Sequence, residues 1–258
     1  MTRSAAYIVI HETEYPPCGV PVSLAHHLLH LIPRELPWQI RESGRITVEP
    51  DLARLTEGED AFGNPVAWLS LDTPHDGLLV RAESRVMVIA RALPKDEDSP
   101  SWEGVRDSFR YRAVARESEM LDAERYLYAS PSAPRSAELA AFAAQVFKPG
   151  VPLLAGARAL TELIFKTFKY DPDATEVGTS VYEVLKRKRG VCQDFAHLMI
   201  AAVRSIGLPA RYMSGYLLTD PPPGKPRLIG ADASHAWVAL WCPEQGWIEY
   251  DPTNGIQP

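Results

Sequence analysis

Apolar and polar positions alternate along much of the first 90 or so residues. Stretch 6–13 alternates and is rich in branched side chains, 22–32 and 39–48 offer further strands, and LLVRAESRVMVIARAL at 78–93 alternates longest. A period of two marks half-buried strands. Gly63-Asn64-Pro65 and Thr73-Pro74-His75-Asp76-Gly77 punctuate these runs as turns. An antiparallel sheet or sandwich follows. Residues 94–100 are charged and lack apolar side chains, which predicts a linker. Beyond them the period lengthens. Helices are expected over 136–147, over 153–168 behind Pro152, and over a short segment to Lys188 that Ser180 and Glu183 could cap as a box. Residues 192–206 form the strongest helical pattern, closed by Gly207 with Pro209 just beyond. Strands return at 210–217, 235–241 and 247–251. The fold class expected is α+β. A β-rich domain spans 1–93, a linker and connecting helical segment 94–130, and a mixed domain 131–258.

Composition narrows the function. The 258 residues carry a net charge of −6, so the basic footprint of a nucleic-acid interface is missing. No apolar run approaches the roughly 18 residues of a membrane span. The start, MTRSAAYIVIHETEYPP, lacks the apolar core and cleavage site of a signal peptide, which predicts a cytoplasmic protein. Cys18, Cys192 and Cys242 are too few, and odd in number, for a disulfide framework. At least one is expected as a free thiol.

Cys192 opens the strongest helix. At about 100° per residue, Ala196, Met199 and Val203 fall within about 40° of it, while Asp194, His197, Ala201, Arg204 and Ser205 lie opposite. The thiol is therefore expected to point inward from the helix N-terminus. Free N–H groups and partial positive charge there favour a thiolate and can stabilise an oxyanion. Gly190 just before it is expected to let the chain or a substrate approach closely. Taken alone, a cysteine here could equally be a buried structural residue.

Its partners come later. His235 opens one strand and Asp251 ends the next, with a hairpin turn at Pro243-Glu244-Gln245-Gly246 between. A register centred on Pro243 sets His235 and Asp251 opposite each other; one centred between Glu244 and Gln245 separates them by three residues. A thiol, an imidazole and a carboxylate in sequence are the parts of a nucleophile, its base and the group that orients the base. Each partner alone has an ordinary structural reading. A zinc site built from the three, and another from His26, His27 and His30, are weaker readings. Asp194 and His197 are read as structural, Asp194 favouring the helix start and His197 able to pair with it. Cys18 and Cys242 are read as incidental thiols. The proline-rich loop 219–232 before His235 is a candidate for shaping access.

Four segments carry a resemblance. They are Gly190-Val191-Cys192-Gln193-Asp194-Phe195-Ala196-His197-Leu198, Gly207-Leu208-Pro209-Ala210-Arg211-Tyr212-Met213-Ser214-Gly215-Tyr216, Ala233-Ser234-His235-Ala236-Trp237, and Gly246-Trp247-Ile248-Glu249-Tyr250-Asp251-Pro252-Thr253-Asn254. In this order the chain resembles the bacterial transglutaminase-like family, whose core is papain-like, over about 133–255. Val22, Pro33-Arg34 and Phe62-Gly63-Asn64 resemble the β-rich domain that often precedes it. The resemblance implies Cys192 as nucleophile, His235 as general base and acid, and Asp251 as orienting acid. It also implies a peptide or protein substrate, attacked at an amide through a thioester, with no cofactor. Hydrolysis is favoured over amine transfer; a scaffold that keeps the fold without turnover is the alternative. Family members usually continue with further strands, so a C-terminally truncated core is expected at Pro258.

Overall fold

The computed structural model describes residues 4–17, 19–110, 117–176, 178–218, 224, 228–229 and 234–258. The chain forms two compact units, the first ending at Ala92 and the second running from Leu93 to Pro258.

The first unit holds β1 (Ser4–Tyr15), β2 (Ala25–Leu29), β3 (Gln39–Glu49), β4 (Arg54–Glu59), β5 (Pro65–Leu71) and β6 (Leu78–Ile89). They make two antiparallel sheets, ordered β1-β6-β3 and β2-β5-β4. Leu78, Val80 and Ala82 of β6 pack with Ile46 of β3 and Ala67, Leu69 and Leu71 of β5 in one apolar core. The alternation along β6 is the signature of that half-buried position. Strands β4 and β5 escape the sequence pattern for opposite reasons. In β4 only Leu55 is partly covered, so no period shows. In β5 the neighbours Val66 and Ala67 are both buried. The turn between them is set by Asp60, whose carboxylate accepts the backbone N–H groups of Phe62 (2.8 Å) and Asn64 (2.9 Å).

The second unit begins with a 3-10 turn at Asp96–Asp98. There follow α1 (Trp102–Ser108), α2 (Ser118–Glu124), α3 (Ala137–Ala143), α4 (Leu153–Thr167), β7 (Lys169–Tyr170), α5 (Val181–Arg187), β8 (Arg189–Gly190), α6 (Cys192–Ser205), β9 (Ala210–Tyr216), β10 (Ser234–Cys242) and β11 (Gly246–Tyr250). Asp96 pairs with Arg158 of α4 through two bonds of 2.8 and 3.0 Å, so this charged stretch is anchored to the second unit's core helix. Strands β11-β10-β9 form an antiparallel sheet against α6, while β7 and β8 pair in parallel.

Helix α6 is the axle of this unit. It ends as the sequence implies: Gly207 has φ +86°, and the N–H groups of Gly207 and Leu208 reach back to the carbonyls of Arg204 and Val203. Its surroundings differ from the one-stripe expectation. Asp194, Ala201 and Arg204 are buried along with Ala196, Met199 and Val203. The Arg204 guanidinium is accommodated because it donates to the carbonyls of Ala210 (2.8 and 3.0 Å) and Tyr128 (2.9 Å). No described helix is long and apolar enough to cross a membrane.

Candidate active site

Cys192 stands at the first helical position of α6, after Val191 in extended conformation. The helix start is held by Asp194, buried to 5% exposure. Its Oδ2 accepts the Val191 N–H at 2.8 Å and the Thr175 hydroxyl at 2.6 Å. This caps the helix and leaves the next N–H groups without intrahelical partners. Gly190 serves this cap rather than an open approach: a Cβ there would lie 2.6 Å from Asp194 Oδ2. The hydrogen bonds of Asp194 thus go to the cap, and the His197 ring lies against Tyr212 at 5.1 Å.

The hairpin register is centred on Glu244, with Cys242 opposite Gly246 and Val238 opposite Tyr250. Neither register considered from sequence occurs. Asp251, one residue past β11, falls diagonal to His235 on the same face of the sheet, which is within reach of long or polar side chains. The His235 Nε2–H donates to Asp251 Oδ2 at 2.9 Å, and both side chains are fully buried. The other carboxylate oxygen accepts the N–H groups of Thr253 (2.9 Å) and Asn254 (3.2 Å), and the Asn254 amide donates to Oδ2 at 2.7 Å. No face of this carboxylate is left bare.

With Nε2 committed, Nδ1 is the imidazole nitrogen left over. It is buried and lacks a hydrogen-bond partner of normal geometry. Burial alone would lower the pKa of His235. The hydrogen bond to Asp251 and the interaction with Cys192, with the charges of both, outweigh it and raise the value to about 9. Cys192, His235 and Asp251 thus meet in space as one interacting set. Among the described residues, no group of three or more His, Cys, Asp or Glu side chains is arranged to hold a metal ion.

Several neighbours were given no part in the chemistry from sequence, Trp237 being read as a core aromatic. Trp237 stacks on His235 at 6.1 Å with the rings inclined by 23°, and its indole N–H donates to Glu249 at 2.7 Å. Gly215, opposite His235 in the sheet, makes room for that indole: a Cβ would come within 2.6 Å of it. Two phenols sense Cys192. Tyr170 has its pKa raised by burial and then by the Cys192 charge; Tyr212 is pushed up to about 12 by burial, Cys192 and Asp194. Cys242, at the far end of β10, is fully buried and its thiol is raised to about 11 by burial and then by Glu244. His26 lies in β2, paired with Ser70. Cys18 and most of loop 219–232 lie outside the described residues.

Residues 140–252 match the transglutaminase-like superfamily, and residues 7–87 match the bacterial transglutaminase-like N-terminal region. The chain belongs to the transglutaminase-like superfamily. An uncharacterized protein of Mycobacterium tuberculosis is 37% identical to this transglutaminase-like chain over 262 residues, covering 96% of it and 78% of the relative. A protein-glutamine gamma-glutamyltransferase of Pseudomonas aeruginosa is 39% identical over 72 residues, 28% of this chain and 11% of that protein. The crystal structure of a candidate cysteine protease from Cytophaga hutchinsonii superposes with a TM-score of 0.76 at 18% identity, covering 99% of this chain and 80% of that one. That likeness spans both units and establishes the fold: a β-rich N-terminal region followed by a papain-like α+β core.

Proposed function

We propose that this protein is a cysteine enzyme that cleaves amide or peptide bonds through a thioester on Cys192, with hydrolysis favoured over transfer to an amine. The observation that carries this reading is the buried His235–Asp251 hydrogen bond of 2.9 Å, which commits Nε2 and leaves Nδ1 for the thiol at the start of α6. Asp251 holds the tautomer and orientation of the ring, and His235 moves the proton.

The Cys192 sulfur, its proton on His235, attacks the carbonyl carbon. Negative charge gathers on the carbonyl oxygen, with the Cys192 backbone N–H at the helix start as its proposed donor. The C–N bond breaks as His235 gives its proton to the leaving nitrogen. Water then attacks the thioester, His235 takes its proton and returns it to sulfur, and the acid departs. An amine in place of water would give transfer by the same path. Hydrolysis is favoured because water needs no dedicated site, whereas transfer needs one that binds the amine and limits water. The substrate class is a peptide or protein. The intact Cys192, His235 and Asp251 set counts against a scaffold without turnover.

The test is to incubate the protein with glutamine-containing peptides, with and without a primary amine, and to seek the Cys192 acyl adduct by intact-mass spectrometry after acid quench. An adduct that decays to free acid in both cases supports hydrolysis. Predominant amine conjugate reassigns the enzyme as a transferase. Absence of any adduct across a broad peptide library removes the catalytic reading.

A further inference from the structure

Asn254 makes more contacts than a motif-end residue needs. Its Nδ2 donates to Asp251 Oδ2 at 2.7 Å and to the Ile229 carbonyl at 3.2 Å, and its Oδ1 accepts the Ile229 N–H at 2.9 Å. Its backbone N–H also donates to Asp251 Oδ1 at 3.2 Å. The amide fits only one way round. Flipped, its oxygen would face the Asp251 carboxylate and a carbonyl, and its NH₂ would face an N–H. Ile229 precedes β10 in the sequence, and His235 is the second residue of that strand. One side chain therefore grips the acid and the backbone upstream of the base.

We propose that Asn254 is a positioning residue for the reacting trio: it holds the Asp251 carboxylate at the angle from which it orients His235, and is itself braced by the Ile229 backbone. This rests on the reading of Cys192, His235 and Asp251 as the reacting set. Asn254 touches no reacting atom. Its effect passes through Asp251, whose Oδ2 it shares with His235 Nε2. A side chain that sets such an angle matters because small misplacements of a base are costly, on the order of 10²-fold for about 1 Å.

Two variants separate the two grips. Asn254→Ala removes both; Asn254→Asp keeps an acceptor for the Ile229 N–H but turns the donor facing Asp251 into a second carboxylate. The readouts are the rate of iodoacetamide labelling at Cys192 against pH, mapped by mass spectrometry, and hydrogen exchange at the Ile229 amide. For Asn254→Ala the labelling rate is expected to fall about tenfold or more, with loss of protection at Ile229. For Asn254→Asp the Ile229 amide stays protected, while added negative charge moves the alkaline limb of labelling to higher pH. If circular dichroism shows that Asn254→Ala does not fold, the Asn254→Asp limb decides alone. Wild-type rates and an unmoved limb in the folded variants overturn the proposal. The underlying triad reading fails by a different sign: His235→Ala then leaves Cys192 labelling unchanged in an otherwise wild-type background.

Discussion

The two ends of strand β10 hold two buried reactive side chains in opposite surroundings. At one end His235 is wrapped by Asp251, Cys192 and the Trp237 ring, and its pKa rises to about 9. At the other end Cys242 sits in the apolar core, and burial and then the Glu244 charge raise its thiol to about 11. Burial acts on both. It holds Cys242 in its neutral form, and the Glu244 charge acts in the same direction. It would neutralise His235 too, but hydrogen-bonded acceptors reverse the outcome. The charge state at each end of this strand follows from the polar partners it gathers, not from exposure.

The largest disturbance to that contrast is expected from Asp251→Ala. It leaves His235 and the N–H groups of Thr253 and Asn254 without their acceptor. Breaking a buried pair of this kind costs about 3–5 kcal/mol, to be read from urea unfolding. Cys192 labelling should fall about 10²-fold or more in the same variant.

pH sharpens the comparison next. The folded value of His235 lies above its ordinary 6.5. Its contribution to stability is therefore complete below about pH 6.5 and is lost as pH rises through about 9. Unfolding midpoints measured from pH 6 to 10 should decline across that window, and His235→Ala should flatten the decline. Labelling of Cys192 should lose its His235-dependent rate over the same range.

A smaller effect is expected at Gly215. Adding a methyl group there drives into an indole pinned by Glu249 and stacked on His235. Gly215→Ala should cost about 1–3 kcal/mol in thermal or denaturant melts, the usual range for overpacking, and should slow labelling at Cys192. The smallest change belongs to the other end of the strand. Cys242→Ala should cost about 1–2 kcal/mol through a small cavity and leave the Cys192 rate where it was.

Much of the molecule was legible from residue order. The long alternation of β6, the helix from Cys192 to its Gly207 stop and the hairpin strands all follow from local period and punctuation. What resisted was non-local. A helical wheel assigns one buried stripe, yet α6 is enclosed on other sides as well, because the backbone carbonyls of Tyr128 and Ala210 accept from Arg204. The hairpin register depends on Glu244, a non-glycine residue at φ +64° in the turn. Strand β4 carries no apolar period, since almost all of it faces outward. The grip of Asn254 on Ile229 joins residues far apart in sequence through a backbone that no side-chain pattern encodes.

The central claim is that His235 activates Cys192, and it is tested most directly by competition between thiols. Wild type and His235→Ala are exposed to iodoacetamide near pH 6, and labelling of Cys192 and Cys242 is followed by mass spectrometry. The expected result is fast labelling of Cys192, little at Cys242, and a Cys192 rate lowered by about 10²-fold or more in His235→Ala. Equal rates at Cys192 in the two proteins would contradict it.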